Sequence, residues 1–480
     1  MPSHSPALVW LRDDLRLADN PALSRAADGG RPVAALYVLD EDSPGIRPLG
    51  GAARWWLAGS LRALRADLAR HGVPLILRRG PAARVVGEVA SQIGAGLVAF
   101  NDRPGAAEAK IDRKVAEQLK GEEREVARDG AHLLHPPGSV TTSAGRMPRT
   151  FSAFHRAALK LQVGAPLGAP RRLTGLASGV ASEDLDSWEL EPRRPDWAGG
   201  LRAAWTPGEH AARARLEDFL EQGLAGYANG RDRPDLGHVS RLSPHLRFGE
   251  ISPRQLLAAV RHAAAEGAAP QADADKFEAE LYWREFSHHL LAEVGDIARR
   301  NIQDSFDLFP WREAPGELKA WQRGRTGYPL VDAGLRQLWQ TGWMHNRVRM
   351  VVASFLSKHL LMDWRTGEAW FWDTLVDADP ANNPTNWQWV AGSGLDAAPY
   401  FRIFNPVAQG EKFDPAGTYV RAFVPELAKL PDTLIHKPWT ADAGTLAAAG
   451  IRLGVTYPKP VVDHAAARER ALLALKSTIK

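Results

Sequence analysis

The sequence contains no cysteine among its 480 residues. This absence excludes disulfide bonds, cysteine nucleophiles and iron–sulfur clusters held by thiolates. The sequence also lacks any run near the roughly 18 consecutive apolar residues that a membrane-spanning helix needs. Its first residues lack the basic start and the long apolar centre of a secretory signal. We therefore expect a cytoplasmic protein, in which any redox chemistry depends on a bound organic cofactor or on aromatic side chains.

The sequence also carries little excess charge of one sign, since its formal net charge at pH 7 is only +4. The sequence pI is about 9.2. Such a small excess does not by itself indicate a polyanionic partner. The distribution is more informative, since residues 323–349 contain five arginines and a single acid, Asp332. Clustered positive charge is what a phosphate-binding surface needs. It is equally typical of a solvated helix face, so charge alone leaves both interpretations open.

Short apolar runs alternate with helical stretches over the first 135 residues. Strands are predicted at 7–11, 32–39, 74–77 and 97–101. Helices are predicted at 20–27, 52–70, 82–93 and 106–119. Asn20 before Pro21 is a strong start signal for the first of these helices. This alternation predicts an α/β domain with a doubly wound parallel sheet, similar to a Rossmann fold.

The loop after the first strand, residues 12–17, contains no glycine. A dinucleotide-binding fingerprint needs glycines there so that the backbone can approach a pyrophosphate. The domain is therefore not a standard NAD or FAD site.

The character of the sequence changes after the α/β region. Residues 164–208 are rich in Pro, Gly, Ser and Arg, which is typical of a linker. Helical periodicity then dominates, with helices predicted at 211–220, 253–265, 274–294, 332–340, 346–361 and 367–376. We predict an α/β domain over 1–135, an interdomain linker over 136–208 and a larger all-helical domain over 209–480.

Tryptophan is unusually frequent, with 17 residues, ten of which lie between Trp283 and Trp389. Tryptophan often fills helical cores, and composition alone favours core packing. Indole rings can also stack on flavins and on bases. Oxidisable indoles placed in series can in addition pass an electron.

Four short segments carry groups that suit a ligand. Residues 240–244 place two serine hydroxyls beside an arginine and fit a diphosphate, although helix capping is the commoner use of such serines. Residues 280–284 offer a carboxyl, an indole and a guanidinium, or simply a surface ion pair. A helix beginning at Asn346 places Asn346 and Met350 one above the other, where an amide and a thioether suit a pyrimidine. Residues 377–389 form either a solvated turn or a loop around a ring system.

In this order and spacing, these segments resemble the photolyase/cryptochrome family. The resemblance begins at residues 9–17, continues to 424–427 and is densest over 327–414. Within the family the chain is most similar to bacterial class III photolyases, which act on cyclobutane pyrimidine dimers (CPD) and are related to plant cryptochromes. The resemblance implies an N-terminal α/β domain that helps to hold an antenna chromophore, a long linker, and a helical domain that binds FAD in a bent conformation.

Matching positions imply roles for individual residues. The FAD-binding positions are Tyr227, Ser240, Arg241, Leu242, Ser243, Arg284, Trp343, Asn346, Arg349, Asp377, Asp379 and Asn383. The dimer-binding positions are Glu280, Trp283, Asn346, Met350 and Trp389, and Arg347 matches a DNA phosphate contact. The relay that would reduce the flavin under light is Trp387, Trp364 and Trp311. Asn383 would face flavin N5, and Val239 replaces a threonine common in relatives, at the cost of one hydrogen bond worth roughly 1.5–3 kcal/mol.

The implied activity is that of a deoxyribodipyrimidine photo-lyase, a monomer without a metal that acts on double-stranded DNA. Excited reduced FAD would donate an electron to a flipped-out dimer, and photolyases are a standard example of enzymes that extrude their target from the duplex. Glu280 would bond to the dimer and stabilise its radical anion. A (6-4) photoproduct enzyme is disfavoured, because it would have histidines in place of Asn346 and Met350. A plant-type cryptochrome is disfavoured by Asn383, usually Asp there, and by the short tail after residue 453.

A second, antenna chromophore is expected in the α/β domain. Methenyltetrahydrofolate is favoured by the class III resemblance. Deazaflavin is the alternative, because Ala107 and Glu108 only half match the Asn-Glu pair of some folate-binding relatives. The candidate positions are Asn101, Asp102, Arg103, Trp55 and Trp56, although core packing is the commoner role for such indoles.

Overall fold

The computed structural model describes residues 5–177, 179–396 and 401–478. The chain forms two compact units. The sheet unit comprises residues up to 225 together with 240–295, and the helical unit comprises residues 226–239 together with those from 296 onward. The boundaries 1–135, 136–208 and 209–480 remain predictions from the sequence.

The sheet unit is built on a parallel β-sheet, whose strands are β1 (Ala7–Leu11), β2 (Pro32–Leu39), β3 (Leu75–Arg79), β4 (Leu97–Asn101), β5 (Glu125–Asp129) and β6 (Thr174–Gly175). The strand order is β3-β2-β1-β4-β5, and β6 pairs with β2. Every residue of β1 and β4 is buried, because helices cover both faces of such a sheet. The predicted α/β fold class is confirmed.

The helices follow one another along the rest of the chain. The first ten are α1 (Pro21–Ala27), α2 (Gly51–Ala69), α3 (Ala82–Gln92), α4 (Ala106–Gly121), α5 (Phe151–Ala158), α6 (Gly199–Ala204), α7 (Glu209–Gln222), α8 (Tyr227–Gly230), α9 (Ser243–Arg247) and α10 (Pro253–Ala265). The others are α11 (Gln271–Val294), α12 (Pro315–Gln322), α13 (Pro329–Thr341), α14 (Asn346–Ser354), α15 (Trp364–Thr374), α16 (Asn382–Ala391), α17 (Pro406–Phe413), α18 (Thr418–Phe423), α19 (Ala443–Ala448) and α20 (His464–Thr478).

The helix predicted over 346–361 differs from the structure in its second half. The α-helical part, α14, ends at Ser354 and passes into a π-helical turn, Phe355–His359. A single π turn shifts the side chains that follow it relative to α-helical periodicity. The five residues of this turn are all buried.

No helix in the described part of the chain is long and apolar enough to cross a membrane.

The loop after β1 holds the sheet to the helices of the same unit. The buried Arg16 donates hydrogen bonds to the backbone oxygens of Gly249, Asp19 and Ala131. Glu209, at the start of α7, accepts the backbone N–H of Leu17 at 2.6 Å. These bonds explain why residues 209–225 and 240–295 form one compact unit with the sheet.

The core of the helical unit lies between α13, α14, α15 and α16. Val331, Val352, Leu356 and Trp364 are completely buried there. Gly334 allows α13 and α14 to approach closely, because a Cβ at that position would lie 2.4 Å from Cγ1 of Val348. This core fixes the three helices α14, α15 and α16, on which most of the predicted site residues of the unit lie.

Candidate functional site

The segment 240–243, in the sheet unit, has an unusual backbone conformation. Arg241 has φ 53°, a left-handed value, and Leu242 follows with φ −89° and ψ −3°. Adjacent left- and right-handed residues turn successive N–H groups toward one side and form a nest that binds anions. Strain at a non-glycine residue is typical of functional sites. The segment can therefore bind an anion without a glycine-rich loop.

Arg241 itself is held by an aromatic ring. Its guanidinium lies 4.4 Å from the ring centroid of Trp205. Burial lowers the pKa of Arg241, and the positive charge of Arg215 lowers it further. A second cation near a partly buried arginine increases the attraction for an anion. Ser243, at the start of α9, is exposed.

Helix α11 of the sheet unit carries three predicted site residues. Glu280 is half-buried, and its Oε1 lies 3.2 Å from Nζ of Lys276 one turn earlier. The indole of Trp283 stacks on Phe151 of α5, with ring centroids 3.7 Å apart and planes 7° apart. Because Phe151 covers one face of Trp283, a base cannot stack on that face.

Arg284, the third site residue of α11, is buried and held in place. Its guanidinium donates to the backbone oxygen of His132 at 2.8 Å, and its other terminal nitrogen lies 2.8 Å from Nε2 of the same histidine. The neighbouring Glu285 is fully buried and accepts the backbone N–H groups of Leu134 and His135. Burial raises the pKa of Glu285 to about 7.

Helix α14 of the helical unit begins at Asn346, as the sequence predicted. Asn346 is exposed and Met350, one turn later, is half-buried. Arg347 pairs with Asp232, and its guanidinium lies 4.4 Å from the ring centroid of Phe413. The predicted phosphate contact of Arg347 would therefore compete with an internal carboxylate.

Arg349, on the same helix, is bound on two sides. Its Nη2 lies 2.8 Å from Asp377, and its Nε donates to the backbone oxygen of Met344. The ring centroid of Trp343 lies 5.8 Å from its guanidinium. Arg349, Asp377 and Trp343, which the resemblance assigns to the flavin pocket, are thus brought together in one cluster.

The segment 377–389 is not the turn or loop that the sequence suggested. Only its first residues form a loop, and α16 begins at Asn382. Proline is tolerated in the first turn of a helix, where the missing N–H has no intrahelical acceptor, so Pro384 does not prevent this start. Asp379 stabilises the start by accepting the backbone N–H groups of Ala381 and Asn382.

Asn383 is buried in the first turn of α16. Its Nδ2 donates to the backbone oxygen of Glu368 at 3.1 Å and to Oε1 of the same residue at 2.8 Å. This arrangement leaves the Oδ1 of Asn383 as the group that a ligand can meet. Sequence reasoning missed Glu368, because it lies 15 residues earlier on α15 in no recognisable pattern.

The predicted relay tryptophans differ in their exposure. Trp387 and Trp364 are buried, whereas Trp311 is partly exposed and packs on Phe309 at a centroid distance of 4.3 Å. The Nε1 of Trp364 donates to the side chain of Asn301. Trp389 is half-buried, and in helix α8 of the same unit Tyr227 is buried.

The arginine cluster over 323–349 is largely neutralised inside the helical unit. Arg336 forms a two-pronged ion pair with Glu426, and the ion pairs of Arg347 and Arg349 were described above. Only Arg323 and Arg325 are exposed. The clustered charge that suggested a phosphate-binding surface is therefore mostly balanced by internal acids.

The candidate antenna positions of the α/β region have partners within the sheet unit. The Nδ2 of Asn101 donates to Asp14 and Asn20. The remaining pairs are Asp102 with Arg128, Arg103 with Asp112, and Trp56 with Glu250. Both Trp55 and Trp56 are buried. Core packing and internal pairing account for these side chains, so they give no evidence of their own for a chromophore.

Two family models match the chain. The model described as DNA photolyase matches residues 7–171, and the model described as the FAD binding domain of DNA photolyase matches residues 277–477. The curated deoxyribodipyrimidine photo-lyase of Agrobacterium fabrum is 49% identical over 481 residues, covering 99% of this chain and 98% of that protein.

Solved structures give the same result. The crystal structure of a bacterial class III photolyase from Agrobacterium tumefaciens has a TM-score of 0.96 and 47% identity, covering 100% of this chain and 98% of that one. The archaeal photolyase from Sulfolobus tokodaii, solved with two FAD molecules, has a TM-score of 0.80 and 28% identity over 98% of this chain and all of that one. The chain belongs to the DNA photolyase family and has an FAD-binding helical domain.

Proposed function

We propose that this chain splits cyclobutane pyrimidine dimers in DNA under light, as a deoxyribodipyrimidine photo-lyase. The observation that carries the proposal is helix α14, where Asn346 and Met350 are accessible one turn apart and neither is a histidine. An amide can bond the edges of a pyrimidine, and a thioether suits its apolar surface. When bound, FAD supplies the photoexcited electron that weakens the cyclobutane bonds.

The proposed FAD contacts fall into three groups. The strained segment Ser240, Arg241, Leu242 and Ser243, with Tyr227, contacts the phosphates and the adenine side. Arg284 of the sheet unit is proposed to contact the remaining parts, as are five residues of the helical unit, namely Trp343, Asn346, Arg349, Asp377 and Asp379. Asn383 faces flavin N5 with its Oδ1, because Glu368 holds its Nδ2. Charged and backbone donors of this kind suit a bound anion.

The dimer must leave the base stack before it can be split. Trp283 is proposed to stack on the extruded bases through the face that Phe151 does not cover. Trp389 is proposed to contact the opposite side, and base–indole stacking is worth roughly 1–3 kcal/mol per base. Glu280 accepts or donates a hydrogen bond at the dimer.

Three tryptophans, Trp387, Trp364 and Trp311, are proposed to return electrons to the cofactor under light. Two buried indoles followed by a partly exposed one are consistent with a path that ends near solvent. A second chromophore is also proposed, with methenyltetrahydrofolate favoured over deazaflavin. The protein is further proposed to act as a cytoplasmic monomer.

The decisive experiment uses the FAD-loaded protein in its reduced state and an oligonucleotide that contains one dimer. Illumination with near-UV or blue light should restore the two pyrimidines, as measured by chromatography, and a dark sample should not. A photoreceptor without repair activity would change only its own absorption. Repair of a (6-4) photoproduct instead of the dimer would contradict the assignment of Asn346 and Met350.

A further inference from the structure

Residues 130–182 of the sheet unit contain no aspartate or glutamate. The same 53 positions contain six strong bases, namely Arg146, Arg149, Arg156, Lys160, Arg171 and Arg172. All six are exposed. None of them forms an ion pair with any residue in the described parts of the chain.

What distinguishes this set is the absence of acids from the whole segment, whereas many other exposed arginines of the sheet unit have acidic partners. Arg62 pairs with Asp186 and Glu191, and Arg84 pairs with Glu88 one helical turn away. Matched surface charges contribute little to attraction at a distance, since their fields cancel. Unmatched cations raise the local potential and attract a polyanion.

Four of the six bases lie within residues 146–160, a stretch we call the basic strip. The strip includes helix α5, and two rings of α5 pack on α11: Phe151 on Trp283, and Phe154 against Phe286 at 5.3 Å. Glu278 of α11, whose charge acts on His155 of α5, is itself paired with Arg261. The strip therefore adjoins the helix that carries the proposed dimer-binding residues Trp283 and Glu280.

We propose that the basic strip binds DNA phosphates and supplies much of the sequence-independent affinity of this protein for duplex DNA. The inference rests on the proposed function, since a repair enzyme must find one lesion among many normal base pairs. The proposal gives this sequence-independent binding to the basic strip and not to the arginines of 323–349. Three of those five arginines, Arg336, Arg347 and Arg349, have carboxylate partners within the protein. Phosphate contacts position a protein on DNA without reading its sequence.

The expected effect follows from counterion release. Each phosphate neutralised by a cation contributes about −0.9 to the slope of log affinity against log salt concentration. Removing Arg146, Arg149 and Arg156 should therefore make the slope shallower by about 2 to 3. The loss should be equal for undamaged and for dimer-containing DNA, because lesion recognition depends on other residues. The ratio of the two affinities should stay constant.

The test compares two triple variants of the FAD-loaded protein in the dark. One is Arg146→Gln, Arg149→Gln and Arg156→Gln. The matched control is Arg113→Gln, Lys114→Gln and Lys120→Gln, which removes three exposed cations from helix α4. Dissociation constants for both kinds of DNA are measured at several salt concentrations. A shallower slope in the first variant and the wild-type slope in the control are expected.

The outcomes can be assigned without ambiguity. A wild-type slope in the Gln variant, with unchanged flavin absorption and thermal melting, would overturn the proposal. A variant with Arg146→Lys, Arg149→Lys and Arg156→Lys keeps the three positive charges and should keep the wild-type slope. A shallower slope in this lysine variant would indicate a structural effect and would also count against the proposal. Illumination of the wild-type protein with dimer-containing DNA separately tests the proposed function, so the two failures are distinguishable.

Discussion

Glu280 has an ion-pair partner on its own helix and is also proposed to bind the dimer. Its carboxylate is 3.2 Å from Lys276, a pairing that any exposed helix can form. If its role is to bond the dimer, Glu280→Ala should lower the repair yield and weaken dimer binding roughly ten-fold or more, as expected for loss of a charged hydrogen bond. The yellow flavin should stay bound. Lys276→Gln removes only the ion pair, and an equal loss of repair in this control would contradict the assignment.

The orientation of the Asn383 amide depends on Glu368. Glu368 accepts two hydrogen bonds from the Nδ2 of Asn383, one through the side chain and one through the backbone. Glu368→Leu removes the side-chain acceptor, so the amide should also populate the flipped orientation that presents Nδ2 to the ligand. Because Oδ1 favours a protonated flavin N5 over an unprotonated one, we expect a more negative reduction potential of the bound FAD. Spectroelectrochemical titration measures this reduction potential. An unchanged potential in the Glu368→Leu variant would contradict the proposed orientation of Asn383.

Helix α15 packs closely against helix α16 at Gly367, a residue without a side chain. A Cβ on Gly367 would lie 2.1 Å from Cη2 of Trp387 and 2.5 Å from Cδ2 of Leu356. Gly367→Ala should therefore displace Trp387 and destabilise the fold by roughly 1–3 kcal/mol. Light-driven reduction of the flavin should slow as well, since the proposed relay begins at Trp387. The measurements are chemical denaturation and the rate of photoreduction.

Gly316→Ala is the matched control for this change. Gly316 lies in helix α12, and a Cβ there would meet no other heavy atom within 4 Å. We expect this variant to be neutral or slightly stabilising, because alanine favours the helix more than glycine does. Equal destabilisation by the two substitutions would show that packing against Trp387 is not the cause.

Elements with a strong local pattern could be predicted from the sequence, and elements without one could not. The apolar runs of β1, β2 and β4 predicted those strands with their observed bounds. Strand β5 (Glu125–Asp129) was missed, because three of its five residues are charged and it lies at the edge of the sheet. Helix α5 was missed inside the predicted linker, because its eight residues are too few to show a clear period.

At the scale of the whole molecule, the sequence could indicate site residues but not their partners. The motifs pointed to Trp283, Asn383 and Arg347. Their neighbours Phe151 and Glu368 lie in other helices, and the neighbour of Arg347, Asp232, lies more than 100 residues earlier in the chain. Such pairs depend on the tertiary fold, which no local spacing encodes. The partners nevertheless decide which face or atom of each site residue remains for a ligand.

The pH dependence of stability should reveal one such long-range contact. Glu285 binds the backbone of Leu134 and His135, about 150 residues earlier. Burial raises its pKa from 4.5 to about 7 in the folded protein. Between these two pH values the folded state binds more protons than the unfolded state, so this group makes the protein less stable as pH rises from 4.5 to 7. The rise in pKa corresponds to about 3 kcal/mol.

Glu285→Gln should remove this dependence, because an amide oxygen can still accept both backbone N–H groups and carries no charge to desolvate. The free energy of unfolding of the variant, relative to wild type, should therefore increase between pH 5 and pH 8 by up to about 3 kcal/mol. Denaturant titrations of the FAD-loaded protein measure it. The exposed Glu266→Gln should show a constant difference over the same range. A constant difference for Glu285→Gln as well would mean that this carboxyl titrates normally in the folded protein.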